Sequence, residues 1–141
     1  MSNLRQTFEQ MLAEQQETKP RKHPTEEEHR IQCACIRWYR YQYKKMHHNL
    51  FAVPNGGWRD KTTAEKMKKE GVLAGVADLI LLKSNAHYGA LLIEMKTSKG
   101  CQSEHQKEWQ KQIEADGYKY VVCRSLEDFM REVKAYLADS I

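Results

Sequence analysis

Apolar residues recur along this chain with two different spacings, and the alternation between them predicts the elements. The Leu/Ile-rich stretches Gly75–Leu82 and Leu91–Lys96 are short and bounded by Gly, Ser or Asn, which predicts two strands. Ser84-Asn85-Ala86-His87 between them is turn-like, so a hairpin is the simplest reading. Leu50-Phe-Ala-Val53 and the segment from Tyr118 to Cys123 read as two further strands. Helical spacing appears elsewhere. Thr25-Glu-Glu-Glu28 looks like a capping box opening a long helix to about Met46, with Ile31, Cys35, Trp38 and Gln42 on one side. Thr62 to Glu70 predicts a basic helix, and Gly71 to Gly75 a glycine-bearing loop that leads to Asp78. Ser103 is an N-cap candidate with Gln106 at N3, for a helix through Asp116 that Gly117 ends. Leu126, Phe129, Met130, Val133 and Leu137 form the apolar stripe of a closing helix. The predicted fold is α/β, a central mixed β-sheet flanked by helices.

Three charged side chains interrupt the two apolar strands: Asp78, Glu94 and Lys96. If the hairpin turn centres on Ala86, Asp78 and Glu94 are equidistant from it and face each other, with Cβ atoms roughly 5 Å apart. Alternation puts Glu94 and Lys96 on one face while Leu91, Ile93 and Met95 fill the other. Two dehydrated carboxylates side by side repel, and an oxygen-preferring divalent cation offsets that cost. A Mg²⁺ or Mn²⁺ site is one reading, and a buried ion pair of Lys96 with one carboxylate is the other. Spacing does not choose between them.

The 141 residues suffice for one domain, 25–141, preceded by an arm over residues 1–24 that is either a flexible leader or a docking element. Leu4, Phe8, Met11 and Leu12 give the arm helical spacing before Thr18 to Pro24 break it. A net charge of +4 is modest, yet Lys44, Lys45, Lys66, Lys68, Lys69, Lys99, Lys107 and Lys111 suit a polyanionic partner if they gather. No apolar run approaches the roughly 20 residues of a membrane span, so a cytoplasmic protein with no membrane partner is expected. The cysteines Cys33, Cys35, Cys101 and Cys123 lack zinc-ligand spacing and read as reduced thiols, with Cys33 and Cys123 assigned to the core.

Motifs in a fixed order now resemble the VRR-NUC family of the PD-(D/E)xK nuclease superfamily: Glu28-His-Arg-Ile-Gln32, Val53-Pro-Asn-Gly-Gly-Trp-Arg59, Glu70 to Asp78, Glu94-Met-Lys96 and Ser103 to Trp109. Ala77 stands where the family usually has Pro, a difference of backbone shape without a reactive group. The resemblance implies a restriction-endonuclease-like core and a catalytic set of Glu28, Asp78, Glu94, Lys96 and Gln106. It implies Mg²⁺ or Mn²⁺ held by Asp78, Glu94, the Met95 carbonyl and Glu28, with Gln32 supporting the site. Asn55 and Arg59, with Lys99, would contact substrate, and Trp58 would stack on a base or cover the core. Gln106 is either a cap partner or a site residue. Lys96 would stabilise or help deprotonate the nucleophile, and electrostatic positioning is the favoured role. Stand-alone relatives of this length look like homodimeric enzymes of bacterial or phage-infected cells that cut branched DNA, Holliday junctions especially. A flap or single-strand nuclease is the rival enzyme reading. A non-catalytic nucleic-acid binder is the rival class, and a purely structural subunit ranks last because it would not explain the charged strand residues.

Overall fold

Four short strands, β1 (Leu50–Ala52), β2 (Leu79–Leu81), β3 (Leu91–Met95) and β4 (Lys119–Cys123), form one sheet in sequence order. The computed structural model describes residues 25–54 and 60–139. The arm 1–24 and the Asn55–Arg59 loop with Trp58 lie outside the described residues. β1 and β2 are antiparallel, as are β2 and β3, while β3 and β4 are parallel. The sheet is therefore mixed, as expected. A parallel pair needs a crossover, and α3 (Glu104–Ala115) supplies it.

Side-chain alternation sorts the sheet into two apolar layers. Leu79, Leu81, Leu91, Ile93, Met95 and Cys123 pack with Cys35 and Tyr39 of α1 (Glu26–Gln42) and with Phe129, Val133 and Tyr136 of α4 (Leu126–Ala138). Ala77, Ala90, Leu92 and Tyr120 form the opposite layer, against which Trp109 and Ile113 of α3 pack. β3, between two other strands and under both layers, is buried at all five positions.

Local chemistry sets most element ends. Thr25 Oγ1 accepts from the Glu28 N–H (3.2 Å) and starts α1. The helix stops at Gln42 rather than near Met46, and a 3₁₀ segment over Lys44–Asn49, kinked at Met46, follows. Tyr39 buries its ring in the core and donates from its hydroxyl to the Met46 carbonyl (2.7 Å), which folds the chain back at this point. Asp60 caps the basic α2 (Lys61–Lys69). The hairpin loop is anchored by buried Asn85, whose Oδ1 accepts from the His87 and Tyr88 N–H groups and whose amide donates to the Tyr136 carbonyl. Among the described residues, no helix is long and apolar enough to cross a membrane.

The core assignment of the cysteines needs one correction. Cys35 and Cys123 are buried, whereas Cys33 and Cys101 are exposed. Cys35 and Tyr39 sit one helical turn apart on the inward face of α1, and Cys33, two residues earlier, points away from that face. Burial pushes the Cys35 and Cys123 thiols up to about 12. In native protein at pH 8, Ellman's reagent should titrate Cys33 and Cys101 rapidly and the other two only after unfolding. Four rapid thiols would contradict this core.

Gly71 (φ 102°) and Gly75 (φ 89°) bracket the turn between α2 and Asp78. A Cβ on Gly71 would meet nothing within 4 Å, whereas one on Gly75 would lie 2.6 Å from the His105 carbonyl oxygen in α3. Gly71→Ala should therefore cost only its backbone strain, about 1–2 kcal/mol. Gly75→Ala adds a backbone clash and should cost more than about 3 kcal/mol in denaturant unfolding.

Candidate active site

The β2–β3 register pairs Leu79 with Ile93 and Ile80 with Leu92. One step further along the same ladder, Asp78 falls opposite Glu94, the arrangement that a turn centred on Ala86 predicts. Only Glu94 lies within a strand, however: Asp78 immediately precedes β2 and Lys96 immediately follows β3. The charged residues thus gather where the sheet ends, and two of the three avoid the most buried positions. Asp78 is fixed from both sides. Its carbonyl accepts from the Val53 N–H (2.8 Å), and its carboxylate Oδ2 accepts from the Met95 N–H (2.8 Å).

Glu94 is completely buried, on the face that also carries Leu92 and looks toward α3. A carboxylate there needs compensation, since an unpaired buried charge costs several kcal/mol. Gln106 Nε2 donates to Glu94 Oε1 (2.8 Å), and the Lys96 ammonium lies 3.6 Å from the same oxygen. The Gln106 amide is oriented by its other end. Ser103 and Gln106 form a capping box in which Gln106 Oε1 accepts from the Ser103 N–H (2.9 Å) and Ser103 Oγ accepts from the Gln106 N–H (3.2 Å). With the amide oxygen taken by the cap, the NH₂ faces Glu94. Cap partner and site residue are one role, not two.

Lys96 is steered by its surroundings as well as by charge. Its backbone N–H donates to the Cys123 carbonyl (3.0 Å), and Gly100 lies against its stem, with a Cβ there only 3.4 Å from Lys96 Cδ. Arg124 Nη1 donates to the carbonyls of Thr97 and Gly100 (2.7 Å each) and ties down the loop that makes this wall. Sequence reading missed Arg124. No local signal marks an arginine at the end of β4 as the staple of a loop more than twenty residues earlier.

The remaining candidates divide. Asp78, Glu94, Lys96 and Gln106 come together with the Met95 backbone, while the Met95 side chain belongs to the core. Glu28 and Gln32 are half-buried in the first two turns of α1, and Lys99 is exposed in the stapled loop. Among the described residues, no three His, Cys, Asp or Glu side chains are grouped closely enough to hold a metal ion. Asn55 and Arg59 lie outside the described residues.

Residues 12–127 match the model of the VRR-NUC domain family. No curated protein matches the chain. A solved structure named "VRR_NUC domain protein" superposes with a TM-score of 0.72 over 83% of this chain and 93% of its own, at 24% identity. That likeness bears on the fold, and it agrees with the mixed sheet flanked by helices described above. The chain belongs to the VRR-NUC family.

Proposed function

We propose that this protein is a divalent-metal-dependent endodeoxyribonuclease that hydrolyses phosphodiester bonds in branched DNA, in the manner of a Holliday junction resolvase, and acts as a homodimer. Family membership supports nuclease-type chemistry. The observation that carries the reading is the fully buried Glu94, braced by Gln106 and Lys96 beside the carboxylate of Asp78. A structural ion pair alone explains Lys96 and Glu94 but not a second carboxylate across the ladder.

The donor set suits Mg²⁺ or Mn²⁺. Asp78, Glu94 and the Met95 carbonyl offer hard oxygen donors, and Mg²⁺ is commonly bound through one or two carboxylates while keeping several waters. Glu28 would join through such a water, with Gln32 one turn behind it. When bound, the ion polarises the scissile phosphate and favours an ionised water nucleophile. The protein's own residues do the rest. Asp78 and Glu94 are held rigid by the Met95 N–H and the Gln106 amide, so little reorganisation accompanies the reaction. Lys96, already offsetting the Glu94 charge, places a fixed cation where negative charge grows on the phosphoryl oxygens. Asn55, Arg59 and Lys99 would hold flanking phosphates. A two-fold dimer would present two such sites to a two-fold junction, giving paired incisions.

Purified protein incubated with a labelled four-way junction and with matched duplex and flap DNAs should cut the junction symmetrically in Mg²⁺ or Mn²⁺ and not in EDTA. Its mass in solution should be that of a dimer. Cutting confined to flap or single-stranded DNA by a monomer would establish the rival enzyme, and binding without cutting would establish a non-catalytic binder. Glu94→Ala and Lys96→Ala should abolish cleavage while DNA binding persists. Because Lys96→Ala leaves a buried carboxylate exposed to a cost of about 3–5 kcal/mol, Glu94→Gln serves as the control that removes charge and keeps shape. Unchanged cutting by a folded Glu94→Gln protein would sink the site assignment. For the capping box, Ser103→Ala should cost about 0.5–2 kcal/mol of stability and little activity. Gln106→Leu should cost more than that, because it also removes the amide donor to buried Glu94, a hydrogen bond of about 1.5–3 kcal/mol, and it should slow cleavage at least about 10-fold. Equal rates in the two variants would reduce Gln106 to a cap.

A further inference from the structure

The positive charge of this chain is unevenly placed. Residues 29–59 contain six Arg and Lys and no Asp or Glu, against a net +4 for the whole chain, so everything else nets −2 (4 − 6). Three of the six, Arg30, Arg37 and Arg40, share one side of α1 at steps of seven and three residues, and Lys44 and Lys45 follow just beyond its end; all five are exposed. None of Arg37, Arg40, Lys44 and Lys45 forms an ion pair with another described residue. A cation or two at a helix C-terminus complements the dipole, but this stripe starts in the first half of α1 and extends beyond the helix end.

An aromatic ring sits within the stripe. Of the four aromatics from Trp38 to Tyr43, three pack inward: Tyr39 is fully buried, and Tyr43 stacks edge-on against Trp38 (5.7 Å) and tilted against Tyr39 (5.3 Å). Tyr41 alone of these points out. Its side is 75% exposed, the most exposed large hydrophobic residue among those described. The Lys44 ammonium lies 5.5 Å from its ring centroid. This ring is a stacking platform flanked by cations, the combination that binds unpaired nucleotides.

We infer that the outer face of α1 is a second nucleic-acid contact surface, where Arg37, Arg40, Lys44 and Lys45 hold backbone phosphates and Tyr41 stacks on an unpaired base. The inference rests on the nuclease reading only for the identity of the ligand. The surface is distinct from the cleavage site. Asn49, at the end of the 3₁₀ helix, exchanges hydrogen bonds with Leu82 (2.7 and 2.8 Å), past the end of β2 remote from Asp78. It therefore engages a part of the DNA away from the scissile phosphate, such as a frayed or single-stranded arm.

The test is fluorescence anisotropy in EDTA with a labelled single strand and the blunt duplex of the same sequence, at several salt concentrations. Tyr41→Ala should weaken single-strand binding about 5- to 150-fold, with much less effect on the duplex, and Tyr41→Phe should restore it. Arg40→Ala/Lys44→Ala should lower the slope of log K against log salt by about 1.4 on the single strand. These side chains are exposed, so thermal melts should overlay. Wild-type affinity and slope in both variants, or an equal loss on both DNAs with Tyr41→Ala, would overturn the inference, as would a wild-type protein that binds neither DNA. Cleavage plays no part in the readout. A wild-type protein that binds in the expected way yet never cuts DNA would defeat the nuclease reading and leave this one standing.

Discussion

A carboxylate with no access to solvent, in the central strand of the sheet, is the constraint on which this architecture turns. Glu94 belongs to a strand buried at every position, with strands on both sides and apolar layers above and below. The fold must bring it hydrogen bonds and a countercharge or lose stability. Meeting that demand fixes neighbouring geometry: α3 has to start where Gln106 reaches Glu94, the Ser103 cap sets that start, and Gly100 and Arg124 hold the intervening loop against Lys96. An apolar residue at position 94 would release all these restraints. Their presence together argues that the charge is kept for chemistry rather than for stability, because a buried ion pair is commonly no more stabilising than a well-packed apolar group.

The parts of the structure that sequence made legible are those governed by near neighbours. Strand alternation and a short turn determine the Asp78–Glu94 pairing, and both are visible in thirty residues. Capping chemistry is equally local, which is why Ser103 and Gln106 emerge at their observed positions. Element ends that depend on tertiary packing were less legible. The long helix stops four residues early because Tyr39 is drawn into the core and its hydroxyl binds Met46. Cys33 and Cys35 have similar apolar surroundings in sequence, and only the docking angle of α1 decides that Cys35 is inside. Asn85 and Arg124 act across large sequence separations, where pattern carries no information.

Glu28 shows the same division within the site. Its place in the first turn of α1 is legible from the Thr25 cap, but its relation to Asp78 and Glu94 depends on how that helix lies across the sheet. The chain enters β1 from the other end of α1, through the 3₁₀ helix, so nothing local links Glu28 to the hairpin that carries the carboxylates. Two acids and a backbone carbonyl are therefore the oxygen donors that the hairpin alone provides.

From these contrasts follows a separation of tasks along the chain. The buried carboxylate and its partners lie between Asp78 and Gln106, in a segment whose strands, loop and cap constrain one another tightly: Gly75 abuts the His105 carbonyl, one residue before Gln106. Rigid placement of charge is what a phosphoryl-transfer site needs. Binding a flexible polyanion has a different requirement, exposed cations, and under the inference above Arg37, Arg40, Lys44 and Lys45, all exposed, would meet it. Helix α1 joins the two, because Cys35 and Tyr39 lock its inner face to the sheet while Arg37, Arg40 and Tyr41 remain outside. The inner face holds the outer one at a fixed place relative to the sheet, so the same packing that buries Tyr39 would set the distance between a strand on Tyr41 and the carboxylates of Glu94 and Asp78 under the two proposals above.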